Sequence, residues 1–352
     1  MLDVWGEANV AAAIGLVGGI LLGLAARLGR FCTLGAIEDV LYGGSDQRIR
    51  LWIAAIGFAI IGSFGLMAFG LFDPAQSFYL ARTWVPIASI AGGLLFGYGM
   101  ALAGNCGFTA LARLGGGDLR SFVIVVVIGM SAYATLSGPL AWVRVNILPE
   151  STLAAEPNGI AHMLGNLTGI STPFIGIGIG LSAVVYAMSN RTFRKDKSNA
   201  FWSFIIASSV IIAWAGMSYI SRTGYEDLAV VSHTFSAPIG ESILYGMTSS
   251  GRSLSFGIGS VAGVWIGAFA GSLIKGHFRW EACEDPRELR RQIFGAAMMG
   301  VGAVVALGCS IGQGLSAFSI LSFSAPVTFA AIFAGAAFGL RQLIVGFGRA
   351  HT

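Results

Sequence analysis

Long apolar stretches separated by short polar breaks dominate the chain. They fall at about residues 10–29, 51–71, 85–104, 121–143, 173–189, 200–220, 252–274, 293–309 and 326–346. Each is close to the ~20 residues a helix needs to cross the hydrocarbon core of a bilayer. The pattern predicts an all-α integral membrane protein with about nine spans. No polar segment is long enough to fold as a separate soluble domain. Residues 1–352 are therefore expected to form one polytopic membrane domain, with repeat-containing halves at about 10–145 and 173–349.

Composition strengthens this reading. Of the 352 residues, 55% are hydrophobic and 11% charged, against roughly 25% charged in soluble domains. The 51 glycines suit helices that approach closely in lipid, and Gly15–Gly19–Gly23 and Gly263–Gly267–Gly271 make small-residue faces for packing. Asp3 and Glu7 precede the first apolar run without a basic residue. A secretory signal needs a positive start, so this run is expected to remain as a span.

The net charge of +4 does not point to nucleic acid, because the basic residues gather at span ends. Arg48/Arg50, Arg191/Arg194/Lys195/Lys197 and Arg287/Arg290/Arg291 mark cytoplasmic loops by the positive-inside rule. The facing loops carry few: Arg82, Arg144, Arg222 and Arg252. In a bacterial inner membrane this predicts a periplasmic N-terminus and a cytoplasmic C-terminus near Arg349.

Internal repetition is the most informative feature. Residues 18–36, GGILLGLAARLGRFCTLGA, align without gaps on residues 92–110, GGLLFGYGMALAGNCGFTA, and Cys32 falls on Cys106. A third copy, GAAMMGVGAVVALGCSIG, starts at Gly295 and places Cys309 at the same position. A weaker copy without cysteine lies at 263–276. Each cysteine unit reads as a Gly-rich helix, a tight turn and a short second helix. Such breaks inside a membrane need protein or a water-filled cavity around them, and broken helices at repeated positions point to a transporter's binding site. The loop charges predict that the first two units run inward and the third outward.

Four cysteines are present, Cys32, Cys106, Cys283 and Cys309. None forms a C-x-x-C pair, and His162, His233, His277 and His351 lie away from the cysteine turns, so neither a metal site nor a cofactor is expected. One membrane cysteine alone reads as a small packing residue. Three at equivalent Gly-rich breaks favour function for Cys32, Cys106 and Cys309, while Cys283 reads as an ordinary loop residue. A thiol is a weak donor with a polarizable sulfur. It can hold an anion loosely enough to release it, as conduction requires. Turn and helix-start residues Thr33, Asn105, Gly107, Gly308, Ser310, Gly312 and Gln313 would add free N–H groups and a positive helix end. The same thiols could instead carry persulfide or disulfide chemistry, given thiolate character and a resolving partner.

The segment RLGGGDLRS at 113–121 follows the second cysteine turn. Arg113 and Arg120 there, with Arg30, are candidates for a cytoplasmic gate; a plain positive-inside loop explains them too. Arg27 and Arg30 flank Cys32, where function competes with snorkelling to the headgroups. Glu38, Asp39 and Asp46 read as caps or loop ion pairs. Loops 144–172 and 221–251 are expected to be external and could line an entrance.

GRFCTLGAIED, GNCGFTALARLGGGDLRS and GCSIGQG resemble the YeeE/YedE family, whose characterised members take up thiosulfate. The resemblance spans about residues 10–346. It implies an hourglass-shaped fold, with an indentation on each side and short broken helices meeting at the centre. It also implies that Cys32, Cys106 and Cys309 occupy a thiosulfate path, and that a separate TusA-type sulfur carrier acts as cytoplasmic partner. Other branches of the family are associated with selenium metabolism or sulfur oxidation. Ser310 and Gln313 stand where other members vary. No Walker-type phosphate loop is present. The leading expectation is therefore a transporter rather than an enzyme. A membrane sulfur-handling redox protein, or a sensor or partner of sulfur oxidation, is the alternative.

Overall fold

The computed structural model describes residues 5–148, 152–154, 157, 159–226, 228–282 and 285–345. Asp3, Cys283 and Arg349 lie outside the described residues. The structure is 78% helix and has no strands among those residues. In chain order the principal helices are α1 (Glu7–Leu28), α2 (Thr33–Glu38), α3 (Gln47–Ala68), α4 (Pro86–Ala103), α5 (Gly107–Gly115) and α6 (Leu119–Leu136). There follow α7 (Thr172–Met188), α8 (Lys197–Thr223), α9 (Ser236–Thr248), α10 (Phe256–Ile274) and α11 (Pro286–Val305). The helical segment 310–319 is α12, with a π-helical stretch at Gly312–Ala317. The last helix is α13 (Ser324–Val345).

Helix starts follow elementary chemistry. Proline stands in the first turn of α4, α7 and α11, where its missing N–H costs nothing. Asp118, Asp196 and Ser255 cap α6, α8 and α10 by accepting a backbone N–H of the first turn.

Among the described residues, seven helical stretches are long and apolar enough to cross a membrane. These are Glu7–Gly43, Gln47–Ala68, Pro86–Gly115, Leu119–Leu136, Lys197–Thr223, Phe256–Ile274 and Ser324–Ile344. The other two stretches expected from the sequence also form helices. However, α7 has only 17 residues, and α11 opens on the charged run Arg287, Glu288, Arg290, Arg291.

Glycine faces bring the long helices together. On α1, a Cβ at Gly15, Gly19 or Gly23 would lie within 2.2–2.4 Å of the Phe256, Ser260 and Val264 carbonyl oxygens in turn, so α1 and α10 run parallel in backbone contact. Gly92 abuts Gly302 and Ala306, whereas Gly99 abuts Gly295 and Met299. That reversed order makes α4 and α11 antiparallel. Gly93 and Gly97 meet Thr328, Ile332 and Ala336 of α13 in parallel order. The cysteine-free copy is thus an unbroken helix seated on the first unit, while the second unit pairs with the third. Such contacts fit a membrane interior, where packing and not water exclusion joins helices. Large side chains, including Trp52, Trp214, Phe64 and Phe96, fill the remaining core.

Candidate functional site

The three cysteine turns share one backbone device. The residue two positions before each cysteine is left-handed: Arg30 at φ 54°, Gly104 at φ 74° and Leu307 at φ 55°. Glycine supplies this conformation freely. Arg30 and Leu307 do so against a steric cost of about 1–2 kcal/mol. The chain reverses off the helix end, with Phe31 N–H on the Ala25 carbonyl (3.3 Å) and Gly308 N–H on the Ala303 carbonyl (2.8 Å). A new helix then begins just past the cysteine. Cys32 caps α2, its Sγ accepting the Gly35 N–H at 3.4 Å, and Cys106 occupies the same position before α5.

The fold connects these turns. Thr109 Oγ1 donates to Cys32 Sγ at 3.6 Å and lies 3.3 Å from Cys106 Sγ. With Thr109 donating to Cys32, its lone pairs are free to accept the Cys106 S–H. Ser310, next to Cys309, lies beside Cys106. Cys309 Sγ lies 3.5 Å from Thr234 Oγ1. The order is therefore Cys32, Thr109, Cys106, Ser310, Cys309, Thr234. Cys106 and Cys309 are 1% exposed, whereas Cys32 is partly exposed. All three are free thiols. Beside them, Thr33 Oγ1, Asn105 Oδ1 and Ser310 Oγ are buried with no protein hydrogen-bond partner. Buried polar groups are rarely left so, and one such group stands next to each cysteine.

Two cavities approach this row from opposite ends. One, of about 540 Å³, is lined by Ala8 and Ala11 at the start of α1, Ser255 before α10, Thr234 and Cys309. The other, of about 250 Å³, is lined by Ala26 and Arg27 at the end of α1, Gly104, Thr109 and Cys32. The end of α11 lines the first, and the ends of α1 and α4 line the second, which places the third unit opposite in direction to the first two. Phe31, Phe108 and Phe235 pack in series between them, with ring centroids 6.1 Å and 5.3 Å apart.

The cavities differ in charge. Glu241 is the charged side chain lining the larger one, among hydroxyls and apolar groups. Arg27, Arg30, Arg48, Arg113 and Glu38 line the smaller one. Arg48 is held by Asp39 at 3.2 Å. Lys275 donates to the Arg27 carbonyl at 2.8 Å. Partial burial, with Arg30 and Arg27 nearby, lowers the Lys275 ammonium below its ordinary pKa.

The residues singled out from sequence separate accordingly. Arg30 and Arg113 face the Cys32 cavity, while Arg120 is engaged by Asp118 (3.4 Å) and Glu281 (3.8 Å) outside it. Gln313 Nε2 donates to the Ala306 and Leu307 carbonyls at 2.9 and 3.3 Å, and its Oε1 accepts from Ser324. Its amide therefore closes the end of α11 and has no donor left for a substrate. Gly312 makes room for Thr234 and Tyr79, which a Cβ would meet at 2.7 and 3.0 Å. Gly308 lies against Gln313, and Gly107 has ordinary clearance. Loop 221–251 contributes Leu228, Ser232 and Thr234 to the larger cavity.

Thr109, Thr234 and Arg48 were not among the residues expected to form the site, and for Arg27 the sequence leaves function and snorkelling evenly matched. Thr109 follows Cys106 by three, the spacing of a cap and its first-turn partner, and that signal is visible in the sequence. Thr234 is 75 residues from Cys309 and carries no local signal.

Comparison with known proteins places these observations. The chain is 24% identical over 321 residues to the thiosulfate transporter TsuA of Spirochaeta thermophila, covering 88% of this chain and 92% of that one. It is 24% identical over 318 residues to the thiosulfate transporter TsuA of Escherichia coli, covering 86% of each. Residues 28–338 match the family described as sulphur transport. With that match extending over all three cysteine turns, the chain belongs to the sulphur transport, or YeeE/YedE, family.

Proposed function

We propose that this protein takes up thiosulfate across a bacterial inner membrane along the path Cys309, Cys106, Cys32. The observation that carries this reading is the row of three cysteines, Cys106 and Cys309 buried and Cys32 partly exposed, between two opposed cavities. Thiosulfate offers a polarizable terminal sulfur and three oxygens. A thiol, a threonine hydroxyl and the unpartnered Thr33 and Ser310 hydroxyls can each donate one weak hydrogen bond to it. Among the described residues the side-chain hydrogen bonds at Cys106 and Cys309 come from hydroxyls and not from charged groups, so the anion is held there weakly enough to move on.

On this reading the 352 residues form one polytopic unit with nine crossings. The cysteine turns and their short helices are re-entrant and meet at the waist of an hourglass. The Cys309 cavity opens to the periplasm with the N-terminus. The Cys32 cavity opens to the cytoplasm with the C-terminus. Bringing a dianion inward against the membrane potential costs about 4.6 kcal/mol per 100 mV, twice the cost for one charge. Capture by a TusA-type carrier on the cytoplasmic side would remove the product and draw the anion in. Thr109 favours a non-covalent hand-over above a disulfide, because its hydroxyl engages both sulfurs.

Growth on thiosulfate as sole sulfur source tests this in a bacterium without its own sulfate and thiosulfate uptake. Cys32→Ser, Cys106→Ser and Cys309→Ser should each retain part of the wild-type growth, since a hydroxyl still hydrogen-bonds. Complete loss in all three, at equal membrane levels, favours persulfide chemistry. Unimpaired growth with failed sulfur regulation favours the sensor.

A further inference from the structure

The smaller cavity carries more than the cysteine path requires. Arg27 is half-buried, and its Nε donates to Ser272 Oγ at 2.8 Å. Ser272 is itself anchored to the Ala268 carbonyl at 2.7 Å. The Nη2 end of the guanidinium abuts Gly116, where a Cβ would meet it at 1.1 Å. An arginine that only snorkels has a mobile head in water or headgroups. This one is pinned from two sides, and it faces a cavity that ends on Cys32.

The carboxylates whose fields reach Arg27 are Asp118 and Glu281. Both are engaged elsewhere. Asp118 accepts from Arg120 and Ser121, and Glu281 pairs with Arg120 and Arg279. Among the described residues Arg27, Arg30 and Arg113 make no ion pair, Arg48 is paired with Asp39, and Glu38 is the carboxylate that lines this cavity.

We propose that this cavity is a charge-selective holding site for a small divalent oxyanion or thio-oxyanion, with Arg27 as its fixed receptor. The proposal rests on the reading that the cavity lies on the anion's path. It gives the two ends different tasks. The Cys309 side, with hydroxyls and one carboxylate, admits the anion without binding it hard. The Arg27 side holds it after Cys32 and opposes its return. A guanidinium held at fixed geometry donates two parallel hydrogen bonds to one anion, which favours a divalent oxyanion above chloride.

The test is direct binding of sulfate to the purified full chain in detergent, followed calorimetrically at constant ionic strength with chloride as the monovalent control. Sulfate should bind in preference to chloride. Arg27→Gln should weaken sulfate binding by roughly tenfold, the size expected for a lost charge-assisted hydrogen bond. Gly116→Ala provides a second arm. Its backbone, at φ −89°, accepts any residue, and its closest clash is with the flexible end of Arg27. It should fold, displace the guanidinium and weaken sulfate binding while leaving the charge in place. Sulfate binding equal in all three proteins, or absent from the wild type, overturns the proposal. If binding depends on Arg27 but the wild type takes up no thiosulfate, the site stands and the transport reading falls. If uptake proceeds while sulfate binding ignores both substitutions, the transport reading stands and the site falls.

Discussion

At the scale of single residues, the proposed path rests on a few weak groups held in order. Thr109 is the clearest case, since one hydroxyl serves two thiols on different helical units. Replacing it by valine keeps the shape and removes both bonds. One net hydrogen bond is worth about 1 kcal/mol, so Thr109→Val should slow thiosulfate uptake by roughly fivefold or more, whereas Thr109→Ser should stay near wild type. Initial uptake rates at equal protein levels check this, and equal rates for valine and serine would remove Thr109 from the path. The three cysteines were legible in the sequence because the repeat placed them in register. Their partners were only partly so. Thr109 shares a helix start with Cys106, whereas Thr234 reaches Cys309 through tertiary packing that no spacing encodes. Gln313 looked like an anion donor because it follows a Gly-Cys turn, yet the carbonyls freed at the end of α11 take both of its N–H groups.

At the scale of elements, glycine has two separate tasks, and substitutions should distinguish them. Gly104 is left-handed, with open space where a Cβ would go. Gly104→Ala should therefore cost only the conformational penalty, about 1–2 kcal/mol. Gly263 instead touches the Leu16 carbonyl, with a Cβ placed 2.3 Å from its oxygen. Gly263→Val should force α1 and α10 apart and prevent a stable fold, while exposed Gly178→Ala, with nothing within 4 Å, should be neutral or slightly stabilising. Thermal unfolding of the detergent-solubilised protein ranks the three. Equal stability of the Gly263 and Gly178 variants would contradict the packing account. The helices themselves were readable from apolar length, and so were the breaks, because glycine and asparagine mark them. The left-handed Arg30 and Leu307 were not readable, since neither residue type signals that conformation. The weaker 263–276 copy, without a cysteine, belongs to one continuous helix that ends at Ile274, with Gly276 left-handed just past it.

At the scale of the whole molecule, two cavities of unlike charge lie at opposite ends of the cysteine row. The loop charges alone predict a reversed third unit. The glycine pairing of α4 with α11 and the cavity linings agree with that reversal. The span count was harder to read, because α7 is short and the first turns of α11 carry charges that place them at a membrane edge. The gathering of four arginines into one cavity was also hidden, since Arg27, Arg30, Arg48 and Arg113 come from different elements and each alone resembles a positive-inside residue. The central claim is that a thiosulfate ion crosses by way of the cysteines, with Cys106 between the two cavities. Uptake of radiolabelled thiosulfate into liposomes holding the purified protein, compared with Cys106→Ala, tests it most directly. The account predicts uptake by the wild type, competed by unlabelled thiosulfate, and near-background uptake by a well-folded Cys106→Ala. Uptake by that variant at the wild-type rate would contradict a path through the cysteines.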